Sequence, residues 1–174
     1  SLEEKIDKLD EIVIVGRKLK TRVLGNKTHS RFFGGKFASG DLGSEIAVKI
    51  RSKVAPTYLD NFSFNISYNT GDTAIFRVNV YDIKNGSPGE NILTDNILVS
   101  LNGQTGKIDV DLSKHNIVVT DDFFIGLEWI EGEDNSGIVF SAGFINNATY
   151  YRKASQGRWK KFQMGVGFNV TVKY

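Results

Sequence analysis

Apolar positions in this chain recur at every second residue. Phe62, Phe64, Ile66 and Tyr68 alternate with Asn61, Ser63, Asn65, Ser67 and Asn69, and Val166, Phe168, Val170, Val172 and Tyr174 repeat the pattern near the end. Period two sends one set of side chains to a buried sheet face and the other to water. The same alternation marks Ile46, Val48 and Ile50, residues 73–83, 97–101 and 107–112, and the row Phe123, Ile125, Leu127 and Trp129. Residues 138–144, 149–153 and 159–162 complete the series. Gly and Asn clusters separate the runs at regular spacing, which predicts an all-β fold: a jelly-roll-like antiparallel β-sandwich of about ten strands. Phe62, Phe64, Ile66, Phe76, Val78, Val80, Ile108, Val110, Ile125, Leu127, Trp129, Phe168 and Val170 are its expected core. The short connector Asn69-Thr70-Gly71-Asp72 predicts a hairpin between 58–68 and 73–83.

The sandwich is expected over residues 37–174, preceded by an N-terminal strand and basic connector at 1–36. Leu2, Ile6 and Leu9 stand at helical spacing and read as a frayed helical turn. The β-branched run 12–15 reads as a strand added to a sheet edge, in cis or from a second copy, because four such residues invite association when left solvated. The expected state is a monomer or a weak oligomer through that strand. Residues 17–36 hold seven Lys or Arg and no Asp or Glu. They read as an extended arm in which 21–24 form an edge strand.

At 174 residues the chain is one domain. No run reaches the ~18–20 apolar residues of a membrane helix, so it is not expected to span a membrane. The first residues lack a signal-peptide pattern, and a start at Ser1 reads as a processed or trimmed chain. The absence of cysteine excludes disulfides, thiolate nucleophiles and Cys-ligated metals. A net charge of +2 does not predict a nucleic-acid partner.

Residues 9–16 (L-D-E-I-V-I-V-G) resemble the L-D-E-V-V-V-x-G signature of Gram-negative cell-envelope proteins. There it follows a small regulatory β-domain and, in TonB-dependent receptors, precedes the plug. Further blocks are similar to the uncharacterised carboxypeptidase-like regulatory domain-containing proteins of that group. They are 21–28 (T-R-V-L-G-N-K-T), 41–46 (D-L-G-S-E-I), 76–80 (F-R-V-N-V), 91–96 (N-I-L-T-D-N), 116–129 (N-I-V-V-T-D-D-F-F-I-G-L-E-W) and 149–157 (T-Y-Y-R-K-A-S-Q-G). The resemblance implies an exported protein of the periplasm or outer membrane with a C-terminal β-sandwich. It carries over no catalytic residue. The upstream regulatory domain and a following barrel are both missing from this sequence, so it does not read as a TonB-dependent transporter.

Chemistry is sparse. His29 and His115 are the only histidines, far apart, and read as surface residues rather than parts of a metal site or triad. Asp121, Asp122, Glu128, Glu131, Glu133 and Asp134 cluster in sequence. A glycosidase needs two carboxyls facing each other at roughly 5–10 Å, whereas these read as a solvated strand face and an acidic loop. Asp121-Asp122, or Glu131 to Asn135, offer hard oxygens to a structural Ca²⁺, without an ordered loop motif; no other cofactor is expected. Five N-x-S/T sequons, at Asn26, Asn61, Asn65, Asn147 and Asn169, follow from strand alternation and receive no role.

The strongest ligand signal is the stretch 149–162, where aromatics and bases interleave across a Gly157 turn. Aromatic faces flanked by donors stack sugars. Tyr150, Arg152, Arg158 and Trp159 are the candidate ligand-binding residues, with no catalytic or metal residues assigned. The expected function is a non-catalytic cell-envelope interaction module binding a glycan or an envelope protein, not an enzyme. The alternatives are a carbohydrate-active enzyme and a structural or regulatory appendage of a TonB-linked receptor.

Overall fold

The alternating runs fold as strands of two facing antiparallel sheets. The computed structural model describes residues 18–30, 34–38, 42–133, 137–143 and 148–174. The expected helical turn and the 12–15 strand lie outside them. Fifteen strands, numbered in chain order, are present among the described residues. The eight-stranded sheet runs β1 (Thr21–Gly25), β15 (Phe168–Lys173), β4 (Thr57–Asn69), β11 (Gly137–Gly143), β14 (Gly165–Val166). On it, β2 (Gly34–Ala38) pairs with β11, and β8 (Gly106–Asp111) and β9 (Val118–Val119) pair with β4. The seven-stranded sheet runs β13 (Lys160–Phe162), β12 (Thr149–Arg152), β3 (Glu45–Ile50), β10 (Phe123–Gly132), β5 (Thr73–Lys84), β6 (Ser87–Asn91), with β7 (Ile97–Asn102) also on β5. The strands outside the expected runs are short: β2 and β6 have five residues each and β9 has two, while the expected run 166–174 divides into β14, of two residues, and β15.

The inward rows meet in one core. Phe62 and Phe64 of β4, Phe76 of β5, Trp129 of β10, Phe140 of β11 and Phe168 of β15 are all buried. Phe140 packs edge-on against Phe64, Phe76 and Phe168, tying the sheets together. Eleven of the expected core positions are buried; Ile108 and Val110 are only half-buried. They sit on β8, which pairs with β4 alone, so no neighbouring strand covers their far side.

The expected β4–β5 hairpin does not form. β4 lies in one sheet and β5 in the other, so residues 70–72 cross the sandwich instead of reversing within a sheet. Both strands carry a large inward row, and facing sheets bury both rows against each other. The crossing is held by local bonds: Asn69 Oδ1 accepts from the Gly71 amide at 3.0 Å, and the Thr70 amide donates to the Gly137 carbonyl at 3.1 Å. A true hairpin joins β5 to β6, where Asn85 and Gly86 both take positive φ (53° and 77°), as a two-residue turn requires.

The polar row of β4 is less wet than alternation predicts. Ser63 and Asn65 are buried, as are the sequon residues Asn26 and Asn169. At this point the chain leaves β14, paired with β11, and enters β15, paired with β4. Two backbone carbonyls there are bonded by a side chain: Asn26 Nδ2 donates to the carbonyls of Gly165 (2.7 Å) and Val166 (3.0 Å). Between β11 and β4, Ser141 Oγ donates to the Asn65 side-chain oxygen at 2.7 Å.

Candidate functional site

The outward row of the seven-stranded sheet follows directly from strand register. Arg152 of β12 lies opposite Glu45 of β3, Glu45 opposite Glu128 of β10, and Glu128 opposite Arg77 of β5. Two bases therefore flank two carboxylates across four strands. One row along, Ala47 of β3 lies opposite Gly126 of β10, both small. Into this region come Tyr81, Phe124, Tyr150 and Trp159, making a second apolar cluster on the outside of the sheet.

Glu45 sits at the centre with no exposed surface. Its Oε2 takes Arg152 Nη2 at 2.7 Å and Nε at 2.9 Å. Its Oε1 takes Asn79 Nδ2 at 2.9 Å, and the Tyr81 hydroxyl lies 2.9 and 3.0 Å from the two carboxylate oxygens. The same Asn79 nitrogen reaches Glu128 Oε2 at 3.3 Å, as does Arg77 Nη1 at 3.3 Å. Burial pushes the Glu45 carboxyl above the ordinary range, opposed by the Asn79 bond, the Arg152 charge and the Tyr81 bond. Burial and the Glu45 charge push the Tyr81 hydroxyl up, so it remains the proton donor of the pair.

Trp159 closes this network from outside. The Arg152 guanidinium carbon lies 4.6 Å from the Trp159 ring centroid, and the Trp159 and Tyr81 rings meet edge-on at 5.7 Å. Tyr150 packs edge-on against Phe124 at 4.8 Å, with Lys161 Nζ 5.9 Å from its ring. Trp159 and Tyr150 are half-buried and Arg158 is exposed, while Arg152 is 9% exposed. The structure therefore brings Tyr150, Arg152 and Trp159 to one outer face. It gives Arg152 to Glu45 rather than to solvent and leaves Arg158 in the turn that precedes β13.

Glu45, Asn79 and Tyr81 carry no mark in the sequence beyond lying on the outward rows of β3 and β5. Glu128 does point outward, as alternation predicts, but it is buried beneath neighbouring side chains rather than solvated. Gly126 has a spatial reason to be glycine. A Cβ there would lie 2.7 Å from the Ile46 carbonyl oxygen and 3.2 Å from Glu45 Oε1. Gly126→Ala is expected to cost about 1–3 kcal/mol by overpacking, measured by urea unfolding; an unchanged midpoint would show that the sheet absorbs the methyl group.

The remaining candidates stand apart. His29 is exposed. His115 Nδ1 contacts Asp95 Oδ2 at 2.6 Å beside an open groove of 280 Å³, far from the Trp159 face in chain and sheet. Asp122 bonds the Ser52 amide at 3.0 Å and pairs with Lys49 at 2.9 Å. Among the described residues no three His, Asp or Glu side chains are grouped to hold a metal ion. No helix among them is long and apolar enough to cross a membrane.

No protein-family model and no curated protein matches the chain. A solved structure does: that of the cysteine protease and lectin-like domains of Cwp84, a surface layer associated protein of Clostridium difficile. The similarity has a TM-score of 0.62 at 10% identity and covers 88% of this chain and 36% of that chain. The β-sandwich resembles the lectin-like domain of that protein in architecture, a likeness of fold without a family assignment.

Proposed function

We propose that the chain is a non-catalytic binding module that takes a glycan on the outer face of the seven-stranded sheet, along the β12–β13 edge. The observation that carries this reading is Trp159: a half-exposed indole held against Arg152 and Tyr81 by a buried ion-pair network. A ring already fixed in place loses little freedom when a sugar stacks on it. The fold likeness to a protein with lectin-like domains supports a binding role. That protein's surface-layer association supports an extracellular or surface location.

The burial of the two carboxylates supports a binding module over a glycosidase. Glu45 and Glu128 adjoin through Asn79, but Glu45 has no exposed surface and bonds on both oxygens. A carboxylate so enclosed reaches no glycosidic bond.

Tryptophan fluorescence tests the site. Trp129 is 1% exposed and supplies a constant background, so a change on adding glycan reports Trp159. Trp159→Ala is expected to weaken binding about tenfold or more, the stacking contribution of one ring. Glycan binding that is unchanged in this variant moves the site elsewhere. Sugar release from polysaccharides that Glu128→Gln abolishes replaces the binding reading with an enzymatic one.

A further inference from the structure

We infer that the ligand of this face is a polyanionic polysaccharide, one carrying uronate, sulfate or phosphate groups; this rests on the glycan-binding reading above. From residue 148 to Tyr174 the sequence contains six Lys or Arg and no Asp or Glu. Two of the six are spent: Arg152 on Glu45 and Lys173 on Asp60. The other four, Lys153, Arg158, Lys160 and Lys161, are exposed, and none has an acidic partner among the described residues. All four lie on the β12–β13 hairpin or its turn: Lys161 pairs with Tyr150 on the outer row, Lys160 pairs with Tyr151 on the other row at the sheet edge, and Lys153 and Arg158 flank the turn before Trp159. The nearby carboxylates Glu45 and Glu128 are buried and already paired with Arg152 and Arg77, so they do not neutralise the outer surface.

Unpaired exposed cations gathered on one edge create a local positive potential although the whole chain is nearly neutral, at +2. Edge protection accounts for part of the pattern. β13 pairs only with β12, and lysines on a free edge discourage strand addition. It does not account for Lys153 and Arg158, which lie in the turn outside either strand. The combination of half-exposed rings with free cations matches a ligand that has both flat sugar faces and negative charges. Single-stranded nucleic acid also stacks and carries charge. The near-neutral charge of the whole chain, +2, weighs against it, and an oligonucleotide is therefore one arm of the test.

The test is isothermal titration of the full chain with polygalacturonate, chondroitin sulfate, neutral dextran, a single-stranded oligonucleotide and phosphatidylserine vesicles. The expected result is binding to the acidic polysaccharides that weakens as salt is raised, with neutral dextran at least about tenfold weaker. Lys153→Gln, Arg158→Gln, Lys160→Gln and Lys161→Gln combined should abolish that preference, with the circular dichroism spectrum unchanged. Lys114→Gln, on the 3₁₀ turn 113–115, should have no effect. Equal affinity for dextran and polygalacturonate, or a preference that survives the fourfold variant, overturns the inference. So does tighter binding to the oligonucleotide or the vesicles, which would reassign the patch to that partner. If Trp159→Ala weakens dextran binding while the fourfold variant changes nothing, the polyanion inference fails and the glycan site stands. If Trp159→Ala changes no glycan at all, both fail.

Discussion

Arg152→Ala is expected to destabilise the protein by about 3–5 kcal/mol at neutral pH, because it strands the Glu45 carboxylate beneath the outer face of the sheet. Arg152 Nη2 and Nε both bond Glu45 Oε2, and Arg152 Nη2 also lies 3.1 Å from the Tyr81 hydroxyl, so one truncation opens the centre of the network. The loss depends on pH. Glu45 already has a raised carboxyl pKa, chiefly through burial, and Arg152 is one of the groups pulling it back. Removing Arg152 raises it further. The folded state then holds a proton that the unfolded state releases, so stability is full below the ordinary carboxylate pKa and falls as pH rises through the raised one. The deficit of Arg152→Ala should therefore be largest at neutral pH and shrink in mild acid. Adding Glu45→Gln, which removes the stranded charge, should recover most of it. Urea unfolding across this pH range is the measurement. An equal loss at acid and neutral pH would mean that Arg152 acts by packing alone. Trp159 emission should also shift to the red in the variant, since the guanidinium beneath the ring is gone.

Phe76→Ala is expected to cost about 3–5 kcal/mol through lost burial and a residual cavity. The ring is fully buried, stacks on Trp129 at 6.0 Å and meets Phe140 edge-on at 5.9 Å, so it belongs to both the β10 side and the opposite sheet. Its neighbours are themselves locked against other rings and cannot collapse into the space. Chemical denaturation reads the loss as a lower midpoint at unchanged slope. A cost under about 1 kcal/mol would show that the core repacks around the gap.

The two variants probe faces of the same sheet that differed in legibility. Phe76, Val78 and Val80 declare themselves inward by alternation alone, and the structure buries all three. Arg77, Asn79 and Tyr81 occupy the intervening positions, and alternation assigns them to water. Tyr81 and Asn79 are instead buried by side chains from β3, β12 and the Trp159 turn. Similarly, Tyr150 and Arg152 were readable as sharing a face, and Trp159 as lying near them. That Arg152 faces a carboxylate from residue 45, 107 positions away, was not readable. The β4–β5 connector gives a further example. Residues 69–72 have the length and composition of a hairpin turn, yet they carry the chain between sheets.

The sequence by itself determined which residues form strands and which side of each strand is apolar. Side-chain direction along an extended chain alternates whatever its neighbours, so the all-β class and most of the core follow from local pattern. Tertiary structure decided which strand lies beside which. A turn of given length serves a hairpin or a crossing equally well, and the choice is made by burying the large rows of β4 and β5 against each other. Strand order in turn placed Arg152, Glu45, Glu128 and Arg77 in one line across β12, β3, β10 and β5. It thereby built beneath Trp159 a charged network that no single strand encodes.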